Sequence, residues 1–259
     1  MAVLEVHDAK VRIGDTEILH SADLAVDPGQ LVAVVGPNGA GKSTLARAAA
    51  GLQKLAGGSV RWYGEDISKL RGRRLARLRA FIPQRPRVPE GIVVREAVLI
   101  GRSPHLRPLE RLGRGDRHAA EVAMERAGVV EFAERRLTTL SGGELQRVQI
   151  AIALAQQTPV LIADEPTSAL DLGATATIAR LLRRLTGDGM AVLLVVHDLA
   201  LAAAVADRVV VLSRGRSVAT GAPLEVLGAD RLAEVWHVDA SLHARAPGRA
   251  ALDVQWLEP

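Results

Sequence analysis

The sequence predicts an α/β fold with a mostly parallel sheet as its core, an antiparallel β part at the N-terminus and an inserted α-helical section. Three observations lead there. Residues 31–35 (LVAVV) are a continuously apolar run, as in a strand covered on both faces, and a glycine-rich loop and good helix formers follow it. Residues 160–165 and 191–196 repeat the apolar pattern later in the chain, with titratable residues at their ends. Residues 93–128 and 145–155 instead carry apolar side chains at helical spacing.

Residues 3–13 and 24–26 read as strands joined around a turn at Gly14 and Asp15. Residues 36–44 (GPNGAGKST) then fill every position of a phosphate-binding loop in its strand-loop-helix setting. Gly36, Gly39 and Gly41 admit backbone conformations closed to residues with a Cβ, and with Pro37, Asn38 and Ala40 they form a loop whose N–H groups can converge on an anion. Lys42 adds a full positive charge, and the helix beginning with Ser43 and Thr44 presents a positive N-terminus. The Ser43 hydroxyl is the hard oxygen ligand that Mg²⁺ takes.

Beyond that helix, Gly57 and Gly58 read as a turn, and residues 60–63 as a strand closed by Gly64. Residues 67–79 hold a basic cluster of Arg71, Arg73, Arg74, Arg77 and Arg79 interleaved with leucines. It reads as a solvated helix face rather than a contact surface for phosphate or lipid. It lacks the aromatic residues on which single-stranded nucleic acid stacks. Residues 80–84 form a short strand delivering Gln84, whose amide acquires meaning only beside the motifs later in the chain. The helical section has a Pro- and Gly-containing connection at residues 103–115 and leads to Leu140-Ser-Gly-Gly-Glu144. Ser141 can cap the next helix with Glu144 as its reciprocal partner, while Gly142 and Gly143 leave amides uncovered, a second anion-binding helix end.

The run at 160–165 ends in two carboxylates. Alternation along a strand gives them different directions, so Asp164 suits Mg²⁺ and Glu165 suits polarising an attacking water. His197, ending the next strand, has no role by itself, but parallel order places it beside the strand bearing Glu165. A helix at 199–206, a strand at 209–212 and a terminal β-hairpin over 240–256, turning at residues 245–249, complete the chain.

Composition bounds the partners. The 259 residues contain no cysteine, which excludes disulfides and thiolate metal sites and suits a reducing cytosol. A net charge of +4 permits an anionic partner without demanding one. Residues 1–13 lack the apolar core of a signal peptide, and the apolar stretch 190–212 is interrupted by His197, Asp198, Asp207 and Arg208, so the chain is expected to be soluble by itself.

The order GPNGAGKST, IPQ ending at Gln84, LSGGE at 140–144, LIADEP at 161–166, SALD at 168–171 and His197 resembles the ATP-binding cassette ATPases over nearly the whole chain. The resemblance implies a RecA-like core of residues 1–83 and 157–259, with 84–156 as the helical subdomain. It implies ATP held by Lys42 and the backbone of residues 36–44, Mg²⁺ among Ser43, Gln84 and Asp164, and Glu165 as general base. His197 would contact the γ-phosphate. Ser141, Gly142, Gly143 and Glu144 would close on ATP held by a second copy in a head-to-tail dimer, with Asp171 communicating across the interface. Where the family usually stacks an aromatic residue on adenine, this sequence has Ile13.

Within the family, Gly101-Arg-Ser-Pro-His105 and Val235-Trp-His-Val-Asp239 resemble ATPase subunits of importers for ferric siderophores, haem or cobalamin. That likeness implies permease partners and a location on the cytoplasmic face of the membrane. A solute-binding protein would take part indirectly, and no nucleic acid is expected. Another class of transporter ATPase shares the same cassette motifs. Cassettes acting on nucleic acid or ribosomes usually carry two cassettes or a long coiled-coil insertion, neither of which is visible here.

Overall fold

The computed structural model describes every residue except 71, 87–88, 247–248 and 256–259. Arg71, the centre of the 245–249 turn and Trp256 therefore lie outside the described residues.

The chain begins with β1 (Leu4–Ile13), β2 (Thr16–Val26) and β3 (Leu31–Val35), then α1 (Lys42–Ala49), β4 (Gly57–Trp62), β5 (Glu65–Asp66), α2 (Arg73–Ala76) and β6 (Arg79–Ile82). The helical section follows as α3 (Val94–Ile100), α4 (Arg114–Ala127) and α5 (Gly142–Ala155). The remainder alternates: β7 (Val160–Asp164), α6 (Leu172–Gly187), β8 (Ala191–Val195), α7 (Leu199–Val205), β9 (Arg208–Ser213) and β10 (Arg216–Gly221). It closes with α8 (Pro223–Val226), α9 (Ala229–Trp236), β11 (Ala240–Ala246) and β12 (Arg249–Val254).

One sheet runs in the order β5-β4-β1-β2-β10-β9-β3-β8-β7-β6, and β11 pairs with β12 separately. From β9 to β6 neighbouring strands are parallel, whereas β1 pairs antiparallel with β2 and β4. The expected mixed sheet is present. β3, β7 and β8 are buried at every position because both faces are covered. Val32, Val34, Ile162, Leu193 and Val195 face α1 and the antiparallel strands. Leu31, Ala33, Leu161, Val192 and Leu194 face the other way, against α5, α6 and α7. The indole N–H of buried Trp62 donates to Ala49 O at 3.0 Å, tying the antiparallel part to the end of α1.

Several boundaries differ from the sequence reading. The strand expected at 24–26 is the end of the longer β2, whose alternation is broken by register shifts against β1, so only Leu19, Ala22, Leu24 and Val26 are buried. Gly57 and Gly58 belong to β4 rather than to a turn. Gly58 has φ +79°, and a Cβ there would meet Asp8 O at 2.2 Å, across an irregularity in the β1–β4 register. The basic stretch is no continuous helix but a 3₁₀ turn, Ile67–Lys69, followed by the single turn α2. The sequence reading does not identify α6, although Asp171 as its N-cap and Ile178, Leu181, Leu182 and Leu185 at helical spacing signal it. It also leaves β10, α8 and α9 unassigned, all of them short and only partly buried.

The β9–β10 hairpin braces the phosphate loop. Gly215 N donates to Ala40 O at 3.1 Å, and Gly36, at φ +154°, lies so close to β9 that a Cβ would meet Leu212 O at 2.0 Å. Gly39 is also at positive φ but faces open space. Gly36→Ala is therefore expected to force a backbone shift and lose about 3 kcal/mol with most nucleotide affinity, whereas Gly39→Ala should lose only about 1 kcal/mol. Urea unfolding of the two variants checks this; equal losses would remove the special role of the Leu212 contact.

Candidate active site

The site lies at the carboxyl ends of β3, β8 and β7, where the parallel register brings three loops to one level. Val34 pairs with Val195, and Asp164 pairs with the same Val195.

After β3 the loop enters α1 through Gly41 at φ 101°, with no side chain capping the helix. The first-turn amides are thus left without a side-chain acceptor, the condition for anion binding. A Cβ at Gly41 would meet Leu19 Cδ2 at 2.7 Å, so β2 closes over the loop from above. Asn38 and Gly39 are exposed at the tip, with Pro37 half-buried and Ala40 buried beneath. Lys42 is buried and folds back along the loop, its Nζ donating to Gly36 O at 2.8 Å and Pro37 O at 3.1 Å. Burial lowers its pKa, while the nearby carboxylates of Glu165 and Asp164 oppose that shift.

Ser43 points at β7. Its Oγ donates to Asp164 Oδ1 at 2.7 Å, and Thr44 lies next to it in the first turn of α1. Asp164 is fully buried, and among the described residues its Oδ2 accepts no hydrogen bond and has Arg47 Nη2 at 3.8 Å. Desolvation pushes the Asp164 carboxyl pKa up, against the hydrogen bond from Ser43 and the charge of Arg47. An orphaned buried carboxylate oxygen beside a serine hydroxyl is an oxygen donor set suited to a hard cation. Arg47 is absent from the sequence-derived set. Its place four residues after Ser43, on the same helix face, is the available signal.

Glu165 departs from the expectation. β7 ends at Asp164, so strand alternation does not set the direction of Glu165. Its backbone turns to φ 50°, held by Glu165 N donating to Val195 O at 3.0 Å and by Ser168 Oγ donating to Glu165 O at 3.0 Å. A left-handed conformation at a non-glycine residue is costly and accumulates at functional positions. Gln84, two residues beyond β6, donates its amide N–H to Glu165 Oε2 at 2.5 Å. His197 lies two residues beyond β8, exposed, with no side-chain hydrogen bond among the described residues; its neighbour Asp198 caps α7.

Lys42, Ser43, Gln84, Asp164 and Glu165 thus form one cluster. Residues 141–144 do not join it. Ser141 and Glu144 cap α5 reciprocally, Ser141 N donating to Glu144 Oε2 at 2.7 Å and Glu144 N to Ser141 Oγ at 3.4 Å. The Ser141 contacts hold the Glu144 pKa down, assisted by Arg135, whose Nη1 lies 3.3 Å from Glu144 Oε1. Gly143 packs so tightly on α6 that a Cβ would meet Ala174 Cβ at 2.8 Å, and Gly142 sits against Leu170. Ser141, Gly143 and Glu144 line a cavity of about 250 Å³ with Arg147, Ala174 and Thr177. Asp171 caps α6, accepting from Ala174 N at 2.7 Å. Among the described residues no hydrogen bond or ion pair links this group to the phosphate loop. Ile13 is half-exposed at the end of β1, on the hairpin whose Ile18 and Leu19 approach Gly41.

The profile of the ABC transporter family matches residues 19–168. The iron(3+)-hydroxamate import ATP-binding protein FhuC of Bacillus subtilis is 37% identical over 93% of this chain and 90% of its own length. The hemin import ATP-binding protein HmuV of Nocardia farcinica is 46% identical over 85% of this chain and 75% of its own. Among solved structures, an inward-facing transporter of metal-chelate type superposes with a TM-score of 0.86 at 25% identity, covering 100% of this chain and 98% of that one. The ADP conformation of MJ1267, an ATP-binding cassette, superposes at 0.81 with 25% identity, over 92% of this chain and 99% of that one. On its matched residues, its relatives and its fold, this chain belongs to the ABC transporter family.

Proposed function

We propose that this chain is the ATP-hydrolysing subunit of a membrane importer for a metal chelate: a ferric siderophore, haem or cobalamin. The cluster of Lys42, Ser43–Asp164 and Gln84–Glu165 at one sheet edge carries the ATPase reading. The relatives, named for import of hydroxamate-bound iron, hemin and cobalamin, support the cargo class.

In this reading, ATP replaces the two backbone carbonyls as the partner of Lys42, whose ammonium then meets the β- and γ-phosphates. Backbone amides of residues 36–44 bind the same oxygens. Ser43, Gln84 and Asp164 would hold Mg²⁺, and the orphaned Asp164 oxygen is the position it fits. That ion, when bound, neutralises charge on the phosphate oxygens. Glu165 takes a proton from water as the water oxygen bonds to the γ-phosphorus and ADP departs. His197, free of internal bonds among the described residues, can donate to the γ-phosphate.

Residues 141–144 lie away from this cluster, so a second copy packed head to tail supplies them to the triphosphate, and Asp171 lies at the junction. A dimeric cassette among the structural neighbours supports pairing with a second copy. Residues 84–156 then shift against 1–83 and 157–259, and a surface around residues 84–105 passes the motion to permease subunits. No helix among the described residues is long and apolar enough to cross a membrane. In the importer reading the chain sits on the cytoplasmic face through its permease, with a solute-binding protein acting on the far side.

Glu165→Gln should lose roughly 10²- to 10⁴-fold in turnover while still binding ATP. Purified with ATP from native membranes, the tagged variant should bring a polytopic permease, detected by mass spectrometry; ribosomal proteins or nucleic acid alone would refute the transport role. Lys42→Ala should weaken nucleotide binding itself, measured by calorimetry, and unchanged affinity would remove the lysine from the phosphate site.

Asp164→Asn should abolish turnover yet stabilise the nucleotide-free protein by about 1 kcal/mol, because it relieves a buried charge. Since the folded pKa is raised, the native state of the parent protein loses stability as pH climbs from the unfolded aspartate range through the raised value, and the variant should lack that loss. A lower melting temperature for Asp164→Asn would show that the carboxylate stabilises the apo fold.

A further inference from the structure

Residues 69–117 contain 14 of the 33 lysines and arginines but only 4 of the 29 acidic residues, a net charge of +10; the other 19 basic and 25 acidic residues sum to −6. A weakly basic total therefore conceals a strongly polar distribution of charge. Part of this excess lies close together: α2 packs on the 3₁₀ turn Ser103–His105, with Arg77 Nε donating to Pro104 O at 3.0 Å, and the connection carrying Arg107 and Arg111 continues directly from that turn to Arg114, the first residue of α4.

Some of these arginines have internal work. Arg79 donates to Ala50 O, Arg102 pairs with Asp116 at 3.1 Å, and Arg74 pairs with Glu65. Arg73, Arg107, Arg111 and Arg114 are exposed, and their side chains make no hydrogen bond or ion pair among the described residues. Between Arg107 and Arg111, Leu109 is 102% exposed at φ 65°. A leucine held fully in water and flanked by unpaired arginines matches an interfacial membrane contact, apolar tip inward and cations at the headgroups.

We propose that this face, formed by α2 and the connection at 106–114, rests on the anionic surface of a lipid bilayer, with Leu109 entering the headgroup layer. The inference rests on the permease-coupled reading, which puts the adjoining surface around residues 84–105 against membrane-embedded subunits. It replaces the reading of the basic cluster as a merely solvated face. An anionic leaflet attracts this side and repels the net-negative remainder, so the charge distribution also orients the cassette as it approaches its permease.

The test is co-sedimentation of the purified full-length chain with phosphatidylcholine vesicles, with and without phosphatidylglycerol. Binding should require the anionic lipid and weaken with salt. The variant R107Q/R111Q/R114Q should lose on the order of a hundredfold in partitioning, and Leu109→Asp should also weaken it, with thermal unfolding unchanged in both. Equal binding to neutral vesicles, full binding by the triple variant, or binding to an oligonucleotide without binding to vesicles would overturn the proposal. The transport reading fails separately: it falls if Glu165→Gln captures no permease, whereas loss of vesicle binding with permease capture intact refutes only the lipid face.

Discussion

Asp164 and Val34 both pair with Val195, and this shared register of β7, β8 and β3 is the constraint on which the site depends. Each strand is apolar on both faces, so a slip by one residue would leave each face buried but would separate Ser43 from Asp164. The strand ends are held by specific bonds: Glu165 N to Val195 O, and Val196 N to Val34 O. A carboxylate can then sit fully buried at the end of an apolar strand because a hydroxyl and an arginine approach it from the neighbouring helix. The compensation is incomplete, since one oxygen has no hydrogen-bond partner among the described residues. Such a deficit is tolerable where a ligand can complete it.

The same region holds constrained backbone, as do other turns of the chain. Gly36 and Gly41 occupy conformations that a Cβ would obstruct with Leu212 O and Leu19 Cδ2. Glu165 adopts the left-handed region without being glycine. β9, β10 and β2 hold the glycine loop, through Gly215 N on Ala40 O and Leu19 against Gly41, while β8 holds Glu165 through Val195 O. The antiparallel part of the sheet therefore supports the phosphate loop as well as covering α1.

The capped end of α5 is built with equal care but is separate from this cluster. Arg135 neutralises Glu144 while stacking on Phe132 at 5.3 Å, and Arg147 lies at 5.3 Å from the same ring. The cluster at the strand ends and the capped start of α5 share no hydrogen bond or ion pair among the described residues, and this separation is why a second copy enters the proposed mechanism. Residues 69–117, which include α2, carry a net charge opposite to that of the remaining chain.

The phosphate loop, the LSGGE cap, the acidic pair and the buried strands are legible because each is a local pattern: glycines where a Cβ is forbidden, a Ser–Glu spacing that closes a capping box, and apolar runs of strand length. The long helix α6 carries equally local signals in Asp171 and its apolar spacing, although the sequence reading passes over them. Other features have no local signature. The conformation of Glu165 depends on β8, the role of Gly58 in β4 on Asp8, and the partnership of Arg47 with Asp164 on the packing of α1 beside β7. By itself, then, the sequence determined the buried strands, the glycine-rich loop with the helix after it and the capped start of α5, since those follow from periodicity and steric permission. Only the tertiary structure decided which side chains meet, because contact across the sheet requires a strand register and a helix position set by the packed core as a whole.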